Sequence, residues 1–140
     1  MSEFAHRGRG EVLASDLAVP PTELAVVIPT LNERENILAL VERLEAALAG
    51  IRWEAVFVDD DSPDGTADLV REMGQRRSNI RCVQRLERRG LSSACIEGIL
   101  ASSTPFIAVM DADMQHDETL LPKMLGTIKE RELDIVVGTR

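Results

Sequence analysis

Five short apolar runs recur along the chain, and a polar, turn-forming segment follows each of them. The runs cover 24–29, 53–58, 80–85, 105–110 and 134–138. Most are continuous rather than alternating, which is typical of strands buried on both faces of a parallel sheet. Helical patterns lie between the runs, and strands that alternate with helices form right-handed βαβ units. The sequence therefore predicts an α/β fold with a doubly wound, mostly parallel sheet.

The helical patterns show where the predicted helices begin and end. They cover 33–49, 66–73, 90–102 and 118–131. Asn32 is a candidate N-cap of the first helix, and Gly50 follows its last apolar position. Gly74 is the predicted stop of the second helix.

Composition indicates a globular protein and limits its function. Of 140 residues, 44% are hydrophobic and the formal net charge is −8, which argues against a nucleic-acid-binding role. Residues 1–22 show no sustained period, so we expect a flexible leader before one domain over 23–140. No run approaches the roughly 20 apolar residues of a membrane span, and no signal peptide is evident. A cytoplasmic protein is predicted.

One stretch departs from this acidic balance. Between positions 76 and 89 the single acid is Glu87, and the six arginines are Arg76, Arg77, Arg81, Arg85, Arg88 and Arg89. Two interpretations stay open: a solvated loop and strand edge, or a local positive surface for phosphates or an anionic membrane face.

The polar segments after the strands are expected to meet at one edge of the sheet. Ligands of such sheets bind beyond the carboxyl ends of the strands. The segments are 30–33, 59–64, 111–117 and 139–140. Thr30 and Glu33 follow the first strand, so they would lie beside the same pocket as the acids of the other loops.

Asp111 and Asp113 follow the fourth run in the segment DADMQH. In extended backbone both carboxylates would face the same side. Clustered carboxylates repel unless a cation lies between them, and such oxygens suit Mg²⁺ or Mn²⁺ with positions left for water and substrate phosphates. Gln115 continues the alternation and offers a carbonyl oxygen. The alternative is helix capping by Asp113 or Asp117, which accounts for one acid but not for three.

Asp59 and Asp60 end the second run and open a loop with four acids in six residues. Such carboxylates accept paired N–H donors from a nucleobase edge. The alternative is a turn and a helix cap, which explains Asp64 and Gly65 better than the first two acids. Gly90 opens the third helix, whose N-terminal N–H groups suit a phosphate.

Five segments resemble, in order and spacing, the catalytic domain of glycosyltransferase family 2, and most closely its dolichyl-phosphate (polyprenyl-phosphate) mannosyltransferase branch. They are VVIPTLNERENI, VFVDDDSPDGTAD, RRGLSSACIEGI, VMDADMQHDETLLP and DIVVGTR. The resemblance implies a nucleotide-diphospho-sugar transferase (Rossmann-like) fold. It also implies inverting transfer of a sugar, with mannose from GDP-mannose preferred, to a lipid phosphate at a membrane surface. A UDP-sugar donor is the alternative.

The resemblance also implies roles for individual residues. The positions that match the metal and diphosphate site are Asp111, Asp113 and Gln115. The positions that match the nucleoside pocket are Pro29, Glu33, Asp59 and Asp60. Thr30 joins the donor site from the end of the first strand, and Gly90 joins it from the start of the third helix. Arg140 matches an arginine that meets phosphate groups near the acceptor, and we group it with Asp113 as catalytic.

Two departures from the family pattern bear on the donor. Leu31 stands where many members carry an aromatic residue, and Ser92 replaces a glycine of the mannosyl branch. Members continue past the GTR segment, so we expect a fragment truncated after the fifth strand, which could bind donor without catalysing transfer. The parent protein is expected at the cytoplasmic face of a membrane. The sequence predicts no oligomeric state.

Other functions fit the sequence less well. A phosphoacceptor receiver domain would need a lysine after the fifth strand, where this chain has Arg140. A nucleotidyltransferase would carry a Gly-rich loop with Arg or Lys directly after the first strand, which PTLNERE does not supply. A folded binding or oligomerising module is the third alternative.

Overall fold

A computed structural model describes residues 20–139, which form a four-stranded parallel sheet with helices on both faces. The elements are β1 (Leu24–Thr30), α1 (Arg34–Ala47), β2 (Trp53–Asp59), α2 (Thr66–Arg76), β3 (Ile80–Gln84), α3 (Leu91–Leu100), β4 (Phe106–Val109), a 3₁₀ turn (Glu118–Leu120) and α4 (Leu121–Glu130). The strand order is β3-β2-β1-β4 and all neighbouring pairs are parallel. The predicted α/β fold with a doubly wound sheet is confirmed.

Apolar side chains project from both faces of the sheet, and each face has its own core. The larger core joins the sheet to α1, α2 and α4, and its members include Ile28, Leu40, Leu44, Phe57, Val70 and Leu125. On the other face Val27 and Val58 pack against Ala94 of α3. Full burial of one such aliphatic side chain contributes about 1.5–3 kcal/mol. The two cores hold the strand ends in fixed positions.

Two predicted helix boundaries are wrong. α2 continues through Gly74 to Arg76, and a Cβ at Gly74 would lie 2.7 Å from the carbonyl oxygen of Ile80. Glycine is needed there because the helix lies so close to β3. α1 begins at Arg34 rather than after an Asn32 cap. Asn32 has a φ of +58° and its N–H donates to the Ser62 hydroxyl, so it belongs to the loop.

The predicted fifth strand is also wrong, because residues 134–138 form no strand. A strand requires hydrogen bonds to a neighbour, and among residues 20–139 the edge strand β4 pairs with β1 alone. Ile135 and Val137 are 76% and 75% exposed. The segment instead lines an open cavity of about 670 Å³ together with β4 and α4.

The winding of the sheet brings three strand ends together. β2 and β3 lie on one side of β1, whereas β4 lies on the other side, so the direction of winding reverses at β1. Backbone hydrogen bonds connect the loops to these strand ends. The Asp60 N–H donates to the carbonyl oxygen of Thr30 at 3.0 Å, and the Met110 N–H donates to the carbonyl oxygen of Val27 at 3.1 Å.

Parts of the predicted organisation lie outside residues 20–139. They are Arg140 and nearly all of the leader predicted over 1–22. Within the described residues, no helix has both the length and the apolar character that crossing a membrane demands.

Candidate functional site

A cavity of about 290 Å³ opens at the carboxyl edge of the sheet, between the ends of β1 and β2 and the start of α3. Its lining residues are Pro29, Thr30, Leu31, Asp60, Arg89, Gly90 and Leu91. Four residues predicted to bind the nucleotide sugar therefore meet in one cavity: Pro29, Thr30, Asp60 and Gly90. The other three predicted residues, Glu33, Asp59 and Asp111, are not part of its lining.

Asp59 is fully buried, and its carboxylate is satisfied within the protein. Oδ1 accepts the hydroxyls of Thr30 at 3.1 Å and Ser62 at 2.6 Å, and Oδ2 accepts the Ser62 N–H at 2.9 Å. The Ser62 hydroxyl in turn accepts the N–H of Asn32 at 2.9 Å. These bonds join the loop after β1 to the loop after β2. Asp59 therefore shapes the loops that surround the cavity.

Asp60 reaches the cavity although only 7% of it is exposed. Its Oδ2 accepts the N–H of Gly90 at 2.8 Å. Among the described residues its buried Oδ1 has no hydrogen-bond partner, and the Nε of Arg85 lies 3.3 Å away. A buried polar atom without a hydrogen bond is rare in folded proteins and requires an explanation. Among the acids of its loop, Asp60 is the one that lines the cavity.

Gly90 forms the turn into α3. Its φ of +141° lies in a region that favours glycine. Because its N–H is donated to Asp60, it is not available to a phosphate. The next N–H groups of the first helical turn have no intrahelical partners, so they remain possible phosphate donors.

Glu33 and Asp64 connect the loop that follows β1 to the loop that follows β2. The N–H of Glu33 donates to the Thr66 hydroxyl at 3.2 Å, and its carboxylate accepts from the Asn36 side chain at 2.7 Å. Asp64 accepts the N–H groups of Thr66 at 2.9 Å and Arg34 at 3.2 Å. Burial raises the pKa of Asp64, but a hydrogen bond from the Thr66 hydroxyl, the two N–H bonds and the charge of Arg34 outweigh it and hold the pKa below the usual 3.8. The expected turn-and-cap role of Asp64 fits this geometry.

The DAD segment is anchored by its middle residue. Ala112 is 2% exposed and belongs to the core, which leaves Asp111 half-buried and Asp113 exposed on either side of it. The backbone bends over 112–114 and Met114 has a φ of +65°, so the extended alternation expected from the sequence does not apply. The Oδ1 of Asp113 accepts the N–H of Gln115 at 3.0 Å.

Asp111 and Asp117 have different partners within this loop. His116 lies against Asp111, since its Nδ1 accepts the Asp111 N–H at 3.2 Å and its Nε2 lies 3.5 Å from Oδ2. Contacts of this kind orient a carboxylate for metal binding. Asp117 accepts the N–H of Thr119 at 3.0 Å at the start of the 3₁₀ turn. Capping therefore accounts for Asp117.

The donor set of the DAD loop fits an open metal site. Among residues 20–139, no three His, Cys, Asp or Glu side chains are grouped so that they could hold a metal ion by themselves. Mg²⁺ characteristically keeps several waters and binds one or two carboxylates together with substrate phosphates. Asp111 and Asp113 supply carboxylates of this kind at the same sheet edge as the cavity.

The six arginines do not form one positive surface. Five pair with carboxylates: Arg76 with Glu72, Arg77 with Glu45, Arg81 with Glu54, Arg85 with Asp60 and Glu97, and Arg88 with Glu97. Arg89 lines the cavity and forms no ion pair within residues 20–139. Arg85 is a residue of this site that the motifs of the sequence do not indicate. The available signal was its place directly after β3, at the edge where Asp60 follows β2.

The comparisons with known sequences place the chain in a family. The model for "Glycosyl transferase family 2" matches residues 25–140. A dolichol-phosphate mannosyltransferase of Pyrococcus furiosus is 42% identical over 118 residues, 84% of this chain and 33% of that protein. A dodecaprenyl-phosphate galacturonate synthase of Rhizobium johnstonii is 37% identical over 125 residues, 87% of this chain and 37% of that protein. The chain thus spans about a third of the length of these relatives.

Solved structures share the fold. The mannosyltransferase PcManGT from Pyrobaculum calidifontis, in complex with GDP-Man and Mn²⁺, gives a TM-score of 0.65 at 23% identity, over 76% of this chain and 32% of that one. TarS of S. aureus, in complex with UDP-GlcNAc, gives a TM-score of 0.66 at 24% identity, over 79% of this chain and 32% of that one. Because the family match covers most of its length, this chain belongs to glycosyl transferase family 2.

Proposed function

We propose that this chain is the donor-binding part of a metal-dependent, inverting glycosyltransferase that transfers mannose from GDP-mannose to a polyprenyl phosphate. The observation that carries the proposal is the cavity at Asp60 and Gly90, which shares one sheet edge with the DAD loop. The mannosyltransferase name of the Pyrococcus furiosus relative supports the sugar and the lipid acceptor. The GDP-Man and Mn²⁺ bound to the Pyrobaculum calidifontis protein support the donor and the metal.

The cavity would hold the nucleoside. Asp60 lines the cavity and would offer its carboxylate to an N–H of the base edge. Leu31 and Leu91 are 43% and 63% exposed and offer apolar contacts to the faces of the base. Arg89 at the cavity supplies the positive charge for the first phosphate.

The DAD loop would hold the diphosphate. Asp111 and Asp113 provide the carboxylates for Mn²⁺ or Mg²⁺, Gln115 lies next to them, and His116 orients Asp111. When bound, the cation neutralises the charge that develops on the departing nucleoside diphosphate.

The acceptor would be a lipid phosphate at a membrane surface. Such a phosphate is anionic at neutral pH, so direct displacement requires no strong general base. The contact of Arg140 with phosphate groups on the acceptor side, and a location at the cytoplasmic face of the membrane, stay predictions.

A UDP-sugar is the second candidate donor. Leu31 places no aromatic ring at the cavity, so stacking does not favour the larger purine base. The S. aureus structure contains UDP-GlcNAc, and the Rhizobium relative is named for galacturonate rather than mannose.

A thermal-shift panel tests both candidates. GDP-mannose, UDP-glucose and UDP-GlcNAc are each added with and without Mn²⁺. At a concentration of about 100 times its Kd, a bound donor stabilises the fold by about 2.7 kcal/mol. We expect GDP-mannose with Mn²⁺ to raise Tm most. A larger shift with a UDP-sugar would favour the second candidate, and no shift with any donor would exclude the donor-binding role.

Transfer is tested separately with radiolabelled GDP-mannose and dolichyl phosphate, by extraction of the labelled lipid. A chain that contains the complete machinery yields labelled lipid with an inverted anomeric centre. Donor binding without labelled lipid would restrict the function of this chain to the donor half of the reaction.

A further inference from the structure

Arg85 is a buried arginine to which the proposed chemistry gives no role. Its side chain is 2% exposed, and its backbone N–H donates to the carbonyl oxygen of Asp59 at 2.8 Å. A buried charge is costly unless an opposite charge and hydrogen bonds compensate for it. The partners of the guanidinium therefore indicate what Arg85 does.

Each nitrogen of the guanidinium meets a different part of the site. Nε lies 3.3 Å from Oδ1 of Asp60 and 3.4 Å from Oε2 of Glu97. Nη1 donates to the carbonyl oxygen of Gly90 at 3.2 Å, and Nη2 donates to the hydroxyl of Ser93 at 2.7 Å. Arg85 thus joins the end of β2 to the first turn of α3.

These contacts hold Gly90 from both sides of its peptide backbone. Its N–H donates to Oδ2 of Asp60 at 2.8 Å, while its carbonyl oxygen accepts from Arg85. Gly90 also has a φ of +141°, a conformation that other residues rarely adopt. Asp60 and Gly90 both line the cavity, whereas Arg85 does not.

The contact between Asp60 and Arg85 brings two opposite charges together inside the protein. Oδ1 and Nε are both buried and lie within ion-pair distance, yet neither has a hydrogen bond within residues 20–139. The guanidinium supplies the opposite charge that a buried carboxylate requires. Oδ1 is thereby held inside the protein beside Arg85.

We infer that Arg85 is a positioning residue for the nucleoside end of the donor. It fixes the Asp60 carboxylate and the Gly90 turn without touching the ligand. This inference rests on the proposed function, because it concerns the nucleoside cavity of that function. The competing explanation is an ion pair that stabilises the fold but leaves nucleotide affinity unchanged.

A double-mutant cycle on nucleotide affinity separates the two explanations. The Kd of GDP-mannose with Mn²⁺ is measured by calorimetry for the wild type, Arg85→Met, Asp60→Asn and the double variant. We expect Arg85→Met to weaken binding by about tenfold. In the Asp60→Asn background the same change should have a smaller effect, because part of what Arg85 does is to hold the Asp60 carboxylate. Free GDP should lose affinity in the same proportion, since the effect lies at the nucleoside end.

Arg85→Lys serves as the conservative variant in case Arg85→Met does not fold. Lysine keeps the charge near Asp60 but cannot form the paired bonds to Gly90 and Ser93. We expect an affinity between those of the wild type and Arg85→Met.

Arg81→Met, in the strand that directly precedes Arg85, is the matched control. Arg81 donates to Glu54 at 2.9 and 3.0 Å and lies outside the cavity lining. The Arg81→Met change should lower the midpoint of urea unfolding without changing the Kd of GDP-mannose.

The outcomes distinguish this inference from the proposed function. If the wild type binds the donor and the Arg85 variants bind as tightly as Arg81→Met, Arg85 is not a positioning residue and the proposed function stands. Strictly additive effects of the Arg85 and Asp60 changes would also overturn the inference. If the wild type binds no nucleotide sugar, the proposed function is wrong, and the role of Arg85 is wrong with it.

Discussion

The hydroxyl of Thr30 donates to Oδ1 of Asp59 at 3.1 Å, across the ends of two paired strands. The two residues are register partners in β1 and β2, and both are buried. Ser62 adds two more hydrogen bonds to the same carboxylate. An acid that the sequence groups with the nucleotide-binding residues is therefore occupied inside the protein. The next acid along the chain, Asp60, lines the cavity instead.

Asp59→Asn is expected to destabilise the fold. The amide cannot accept all three hydrogen bonds, so at least one buried donor loses its partner, at a cost of about 1–3 kcal/mol. Urea unfolding measures the loss. Asp61→Asn is the matched control, since this partly exposed acid accepts one side-chain bond, from Gln84 at 3.0 Å. Equal losses for the two variants would contradict the structural role of Asp59.

Asp113→Ala is expected to abolish the Mn²⁺-dependent part of the thermal shift that a nucleotide sugar produces. The reason is that Asp113 supplies one of the two carboxylates of the proposed metal site. Asp117→Ala is the control: it removes the cap of the 3₁₀ turn and should cost about 1 kcal/mol, yet leave the metal-dependent shift in place. An unchanged metal response in Asp113→Ala would remove the DAD loop from the site.

Gly98→Ala is expected to destabilise the packing of α3 on the sheet. A Cβ at this position would lie 2.3 Å from Cγ1 of Val27 and 2.9 Å from Cγ2 of Val58. Such overpacking costs about 1–3 kcal/mol, which should exceed the helix propensity gained from alanine. Gly126→Ala in α4 meets no atom within 4 Å and should instead stabilise slightly. Chemical unfolding of both variants checks the opposite signs, and a loss of the same size in both would refute the packing argument.

The hydrogen bonds to Asp64 predict an acid-sensitive contribution to stability. The pKa of Asp64 in the folded protein lies below its ordinary value of 3.8, so in this range the unfolded chain binds more protons. Its stabilising effect is fully present above the unfolded pKa and is lost as the pH falls through the folded pKa. The stability difference between the wild type and Asp64→Asn should therefore be constant above about pH 5 and should shrink as the pH falls below about 4. Urea midpoints across this range measure it, and a difference that does not vary with pH would contradict it.

Local pattern was sufficient for the fold and for part of the cavity. Four strands lie where apolar runs predict them, because strands buried on both faces must be apolar along their length. The rule that ligands bind at the carboxyl edge predicted that Thr30 and Asp60 lie at one place, and both line the cavity. It could not separate Asp59 from Asp60, since adjacent acids have the same chemistry and differ only in the side of the strand end that each faces.

The sequence by itself determined the parallel α/β architecture, the edge of the sheet at which polar residues meet and the family to which the chain is similar. These properties follow from the order and composition of short segments. Tertiary structure alone decided that 134–138 is not a strand, that Gly74 is a site of close helix–strand approach and that Arg85 lies behind Asp60. The physical reason is that each of these depends on a contact with a different element of the fold. A strand requires hydrogen bonds to a neighbouring strand. The glycine at position 74 is required because the backbone of β3 lies so close to α2, and the buried charge of Arg85 requires an opposite charge nearby.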